Sequence, residues 1–270
     1  MTVPTPTPSP ATGGPYPPEL ARLTVPDPPR RAVPYGRDPE QFGELWPGSG
    51  GACIILLHGG YWRKRYRVDL MHALADDLWH AGYTVWNLEY RRVGCPGGGW
   101  PGTLSDVVAG FDALARLASA HGIDPERVTV LGHSAGGHLA LWLAARRREH
   151  CMRPALITGL APVSDLVLAY QRGLSEYAAA ELLGGTPTSN PERYRSTSPI
   201  ALLPVGCRQV IVHGTADDAV PFDLSVRYTA AARRAGDDCR LIRLPGVGHM
   251  ELIDPRTPAW RTVKNLLPPA

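Results

Sequence analysis

The chemistry of this chain starts at Gly132-His133-Ser134-Ala135-Gly136. A serine hydroxyl is a poor nucleophile unless a base takes its proton as it attacks. It must also stand clear of the sheet that carries it. A very tight strand-to-helix turn achieves this, but it crowds the flanking positions until little beyond glycine fits. Gly132 and Gly136 occupy those positions, and Gly137 adds slack. A bare G-x-S-x-G recurs by chance. Here it lies between an apolar run at 128–131 and an amphipathic helical segment at 135–147, the setting that such a turn needs. The first amides of that helix favour negative charge nearby. Acyl transfer through Ser134 is the chemistry implied.

Acyl transfer puts negative charge on the carbonyl oxygen, and each backbone N–H aimed at it is worth about 3–4 kcal/mol. His58-Gly59-Gly60-Tyr61-Trp62 follows an apolar run at 52–58 and supplies a glycine pair able to turn its amides toward a pocket. The expected donors are Gly60 with Gly59 or Tyr61, joined by Ala135 from the elbow. His58 reads as an organiser of this turn, not as a base.

The base must come from nine histidines. His72, His80, His121 and His150 fall on predicted helices or their ends. His133 and His138 flank the nucleophile, with rings expected to point into packing, and His213 ends a strand. His249, in Pro245-Gly246-Val247-Gly248-His249, sits on a loop after the last strand that can reach back over the sheet. It is the chosen base. The acid should follow the preceding strand, where His213-Gly214-Thr215-Ala216-Asp217-Asp218 offers adjacent carboxylates. Asp217 is preferred, Asp218 is the runner-up, and Asp165 is a third candidate. The order Ser…Asp…His suits an α/β sheet enzyme.

The elements that must position these groups alternate along the chain. Strands are expected at 41–46, 52–58, 84–88, 128–131, 155–160, 209–213 and 240–244. Helices are expected at 68–80, from Thr103 to Ala118, and at 135–147, 223–235 and 258–267. Thr103 and Asp106 are placed to form a capping box at one helix start. The alternation predicts an α/β fold with a mostly parallel sheet flanked by helices on both faces. Residues 162–204, rich in turns and short helices, are expected as a small cap-like insertion over the carboxyl ends of the strands. Residues 1–35, rich in proline and poor in large apolar side chains, read as a mobile or extended arm ahead of a domain at 36–270.

Taken together, LLHGGYWR, EYRR, GHSAGGHLA, HGTADDAVP and PGVGHMELIDP resemble the α/β-hydrolase superfamily, and more narrowly its branch of carboxylesterases and arylformamidases (kynurenine formamidases). The likeness runs from about Gln41 to the C-terminus. It implies a cofactor-independent serine hydrolase acting on a small-molecule ester or amide. A small carboxylic ester cleaved through an acyl-enzyme is the first expectation, and deformylation of an aryl formamide is the alternative. An acyltransferase or a non-catalytic binding protein on the same fold are rivals of other classes. Tyr61, Trp62, Trp100 and His133 are candidate walls of the substrate pocket.

Bulk properties narrow the field. The chain has 270 residues, 44% of them hydrophobic, enough for one large core. A net charge of +3 gives no field that favours nucleic acid or an anionic membrane surface. Arg63, Lys64, Arg65 and Arg67 read as a solvated basic patch. No run of about 18 apolar residues is present, and the first residues lack a secretory pattern, so a cytoplasmic location is expected. Five cysteines, at 53, 95, 151, 207 and 239, lack zinc-site spacing and read as small core residues or free thiols, and no metal is expected.

Overall fold

A computed structural model describes residues 29–146 and 152–270. The chain builds strands β1 (Arg31–Pro34), β2 (Phe42–Trp46), β3 (Cys53–Leu57), β4 (Thr84–Leu88), β5 (Val128–His133), β6 (Leu156–Leu160), β7 (Gln209–Gly214) and β8 (Cys239–Leu244). They form one eight-stranded sheet in the order β1-β2-β4-β3-β5-β6-β7-β8. β2 pairs antiparallel with β1 and β4, and every other pairing is parallel.

Helices α1 (His72–His80), α2 (Gly102–Leu117), α3 (Ala135–Ala145), α4 (Leu166–Gln171), α5 (Ala178–Leu183), α6 (Pro191–Thr197), α7 (Asp223–Arg234) and α8 (Pro258–Lys264) cover both faces. The strands show why. In β3, Ile55 and Leu57 enter one core with residues of α2, α3 and α7, while Ile54 and Leu56 enter the other with residues of α1 and α8. Side chains alternate across a strand, so a continuous apolar run needs a helical layer on each side.

Four local features stand out, and two of them, the second and third, correct an expectation. First, the arm expected over 1–35 ends in a strand: Arg31–Pro34 pairs with β2, and Tyr35 Oη donates to Glu89 O at 2.8 Å. Backbone pairing at a sheet edge needs few large side chains, and proline is tolerated there. The rest of the arm lies outside the described residues. Second, Thr103 does not cap α2, whose N-cap is Pro101. Its hydroxyl donates to Arg91 O at 2.5 Å, and Asp106 grips the Arg91 guanidinium at 2.7 and 2.8 Å. A tertiary partner has taken both capping groups.

Third, α3 is not amphipathic, because every residue from Ala135 to Ala144 is buried. Fourth, the insertion at 162–204 supplies that extra cover. His138 Nε2 lies 3.0 Å from Thr197 O, and Trp142 Nε1 donates to Ser196 O at 3.1 Å. The insertion therefore roofs α3. It also grips the turn after β3, where Arg63 binds Glu181 at 2.7 Å and Ser175 O at 2.7 Å. Among the described residues Cys53, Cys95, Cys207 and Cys239 form no disulfide. Cys151 lies outside them.

Candidate active site

β5 runs straight into Ser134, which is held at φ 57° and ψ −118°. That backbone is strained for an L-residue and persists only where its surroundings over-determine it. The flanking glycines show how tight the elbow is. A Cβ on Gly132 would sit 2.1 Å from Gly136 O, and one on Gly136 would sit 2.0 Å from Leu57 O. Ser134 N donates to Leu160 O at 2.8 Å, pinning the elbow to β6.

The turn after β3 passes directly against Ser134, since a Cβ on Gly59 would lie 3.0 Å from Ser134 Cβ. Gly60, Tyr61 and Trp62 follow at φ 100°, 50° and 58°, three successive left-handed residues. Side chains fix this backbone from below. His58 stacks on Tyr90 with ring centroids 4.3 Å apart, and its Nε2 lies 3.0 Å from Glu89 Oε1, both side chains fully buried. Glu89 in turn binds Arg92 at 2.6 Å, and Arg92 also pairs with Glu40. Burial pushes the Glu89 carboxyl up, but His58 and then Arg92 outweigh it and hold the group below its ordinary value. His58 thus sits in the organising position read from the sequence.

Asp217 follows β7 on the other side of the elbow. Its Oδ1 accepts from the amides of Ala219 at 2.9 Å and Val220 at 2.7 Å. Its Oδ2 accepts from His249 Nδ1 at 2.7 Å. The side chain is fully buried, and burial alone would raise its pKa. The hydrogen bonds from His213 and then His249 outweigh this and hold it well below the usual carboxylate range. With Nδ1 donating to Asp217, Nε2 is the atom of His249 able to take a proton. The two loops are stitched together: Ala216 N donates to Val247 O at 3.0 Å, and Gly246 N donates to Thr215 Oγ1 at 2.9 Å. Asp218 lies on the cavity wall, not on the imidazole. Asp165 caps α4, accepting from Leu168 N at 3.0 Å.

Ser134 and His249 share the wall of a cavity of about 180 Å³ with Gly60, Tyr61, His133 and Asp218, and with Tyr66, Leu70, Ala219 and Met250. Of the four candidate pocket walls, Tyr61 and His133 are there. Tyr61 Oη is tied to Ala219 O at 2.6 Å, and burial, reinforced by the Asp217 charge, pushes the phenol up to about 12. His133 Nε2 lies 3.2 Å from His249 O, and burial, reinforced by the neighbouring His249, holds its ring well below the ordinary value. Trp62 is elsewhere, 1% exposed and edge-on to His138 at 5.1 Å. Trp100 is also elsewhere, 39% exposed under the Arg193 guanidinium at 4.2 Å from its ring centroid. No residue of the insertion lines the cavity.

Tyr66, Leu70 and Met250 were not foreseen as walls. Met250 directly follows His249 in sequence, which is a usable signal. Tyr66 and Leu70 come from a turn and a short 3₁₀ segment (Val68–Met71) whose direction no sequence pattern shows. Among the described residues, no group of three or more His, Cys, Asp or Glu side chains is arranged to hold a metal ion. Nor is any helix among them long and apolar enough to cross a membrane.

Comparison with known proteins agrees with this architecture. Esterase LipC of Mycobacterium tuberculosis is 24% identical over 246 residues, covering 83% of this chain and 60% of that protein. The probable isoprenylcysteine alpha-carbonyl methylesterase ICME of Oryza sativa subsp. japonica is 26% identical over 246 residues, covering 82% of this chain and 58% of that protein. The chain thus spans 60% or less of the length of these curated relatives. The solved structure of a thermophilic esterase, Est2 from Thermogutta terrifontis, superposes with a TM-score of 0.71 at 21% identity, over 92% of this chain and 94% of that one. The family model described as BD-FAE matches residues 48–231. With well over half of its length matched, the chain belongs to the BD-FAE family and carries the α/β-hydrolase fold.

Proposed function

We propose that this protein is a serine hydrolase that cleaves a small carboxylic ester through an acyl-enzyme, with Ser134 as nucleophile, His249 as base and Asp217 as the orienting acid. One observation carries the reading: His249, paired behind the wall with Asp217 at 2.7 Å, lines the same small cavity as a serine held at a strained elbow. The relatives named as esterases support an ester as the substrate class. The cavity of about 180 Å³ is smaller than the roughly 300–1,000 Å³ of sites for drug-sized ligands, which favours a small substrate.

In this mechanism Ser134 Oγ attacks the ester carbonyl carbon as its proton passes to His249 Nε2. Asp217 stabilises the imidazolium through Nδ1. The carbonyl oxygen takes up the negative charge and meets amides of the turn after β3, from Gly59, Gly60 or Tyr61, and of Ala135 at the start of α3. Collapse breaks the bond to the alcohol oxygen, which leaves with the proton from Nε2. Water then attacks the acyl-enzyme, giving its proton to Nε2, and the acid departs as Ser134 recovers its hydrogen.

A fluorophosphonate probe should label the wild type and not Ser134→Ala. Ser134→Ala or His249→Ala should lower turnover of p-nitrophenyl acetate by roughly 10⁴–10⁶-fold with the fold intact. Labelling of Ser134→Ala, or none of wild type, overturns the nucleophile. Fast deformylation of N-formylkynurenine beside negligible hydrolysis of p-nitrophenyl acetate and butyrate overturns the ester as substrate.

A further inference from the structure

The acid carries a second imidazole. Asp217 Oδ2, already 2.7 Å from His249 Nδ1, lies 3.2 Å from His213 Nε2. That nitrogen is also 2.9 Å from Val220 O, so it faces two acceptors and must hold a proton to bond either. On the other side of the ring, His213 Nδ1 is 2.7 Å from Ser225 Oγ on α7, a contact that keeps the ring from turning over. Phe222 packs edge-on at 5.5 Å, and His213 is fully buried. Both oxygens of Asp217 are thus hemmed in, Oδ1 bonded to the amides of Ala219 and Val220 and Oδ2 bonded to His249 with His213 Nε2 3.2 Å away, the shorter contact of that nitrogen going to Val220 O.

We propose that His213 is a positioning residue: by donating to the oxygen that also receives His249, it fixes the acid and limits how strongly the acid can draw on the base. A donor on a carboxylate oxygen withdraws charge from it, so the same carboxylate stabilises the imidazolium of His249 less. Among the groups holding the Asp217 carboxyl low against burial, His213 stands ahead of His249. Other groups face the base. The His133 ring lies 4.4 Å away, Asp218 and Tyr61 stand on the cavity wall, and Glu251 accepts from Gly248 N at 2.9 Å. None of these changes when His213 is replaced, so they form a constant background. The inference rests on the serine-hydrolase reading above.

The test is the pH profile of kcat/KM for p-nitrophenyl acetate, from about pH 5 to about pH 9, on the full chain. His213→Leu should lower kcat roughly tenfold, leave KM nearly unchanged and move the acid limb upward by about half a unit to one unit. His213→Gln, whose amide can donate to the same oxygen, should return the limb to near the wild-type position. Ser225→Ala, which frees the ring, should shift the limb the same way by less, and it serves if His213→Leu fails to fold. A limb that stays put in His213→Leu and Ser225→Ala, or a Gln variant that behaves like Leu, overturns the inference. Fluorophosphonate labelling separates the two failures. Absent labelling of wild type sinks the hydrolase reading itself, whereas normal labelling with an unmoved limb sinks only the role of His213.

Discussion

The turn after β3 and the loop after β7 approach Ser134 from opposite sides of β5 in the sheet, and they are held in opposite ways. The turn carries three successive left-handed residues above a buried cluster of His58, Glu89 and Arg92, with the half-buried Glu40 at its edge. What it offers to the cavity is backbone. The loop has no residue with strained positive φ between Gly214 and Val220, and it is stitched to its neighbour by ordinary amide hydrogen bonds. What it offers is one carboxylate oxygen shared by side chains. The contrast follows from the work each would do. Amides that meet a developing oxyanion are effective only if they do not relax, so strain and burial are concentrated there. A base that takes and returns a proton needs polar partners whose bonds strengthen and weaken during the cycle.

The largest expected effect falls on the loop. Asp217→Asn keeps an acceptor for the amides of Ala219 and Val220, so the fold should survive, while kcat should fall about 10³–10⁴-fold. A loss below tenfold would mean that the loop works without its charge. Next comes the support of the turn. Glu89→Gln leaves His58 and Arg92 buried without their carboxylate, and urea unfolding should show a loss of about 3–5 kcal/mol. In the fraction that stays folded, kcat should drop with KM little changed. An unchanged kcat would separate the buried cluster from the amides above it.

A pH experiment probes the layer beneath the turn. Burial holds the His138 ring down to about 4, although its bond to Thr197 O opposes this. The unfolded chain takes up a proton below about pH 6.5, which the folded chain refuses until about pH 4. The contribution of His138 is therefore fully present above about pH 6.5 and declines, by roughly 3 kcal/mol, as pH falls to about 4. His138→Phe should flatten urea midpoints across that window. Asp217 acts lower. Its carboxyl is held below the unfolded value, so its contribution is present above about pH 4 and is lost in stronger acid. The smallest effect is expected of Trp100→Ala, which should change kcat/KM for a small ester by less than about twofold. A tenfold loss would bring the surface formed by Trp100 and Arg193 into the substrate's path.

The sequence made some of this legible and hid the rest for physical reasons. The elbow was readable because its geometry tolerates few residues, and Gly132 and Gly136 record that intolerance directly. His58 was readable as an organiser because it precedes the turn. The strand Arg31–Pro34 was hidden because edge pairing uses backbone and leaves no apolar signature. Thr103 and Asp106 misled because capping groups serve equally well as partners for a distant arginine. Trp62 and Trp100 misled because an aromatic ring marks a wall, a core or a surface without distinction. Only the direction of the left-handed turn sends Trp62 inward while keeping Tyr61 at the cavity. His213 was visible as the end of a strand, but its hold on Asp217 depends on α7 packing behind it.

One close contact sets a boundary on how this molecule can adapt. The backbone of Gly136 abuts the carbonyls of Leu57 and His58 with no room for a methyl group, and Gly59 passes close against Ser134. Elbow and turn are therefore a single casting, and neither yields unless the other does. Variation in the shape of the cavity falls instead to side chains that line it, such as Met250.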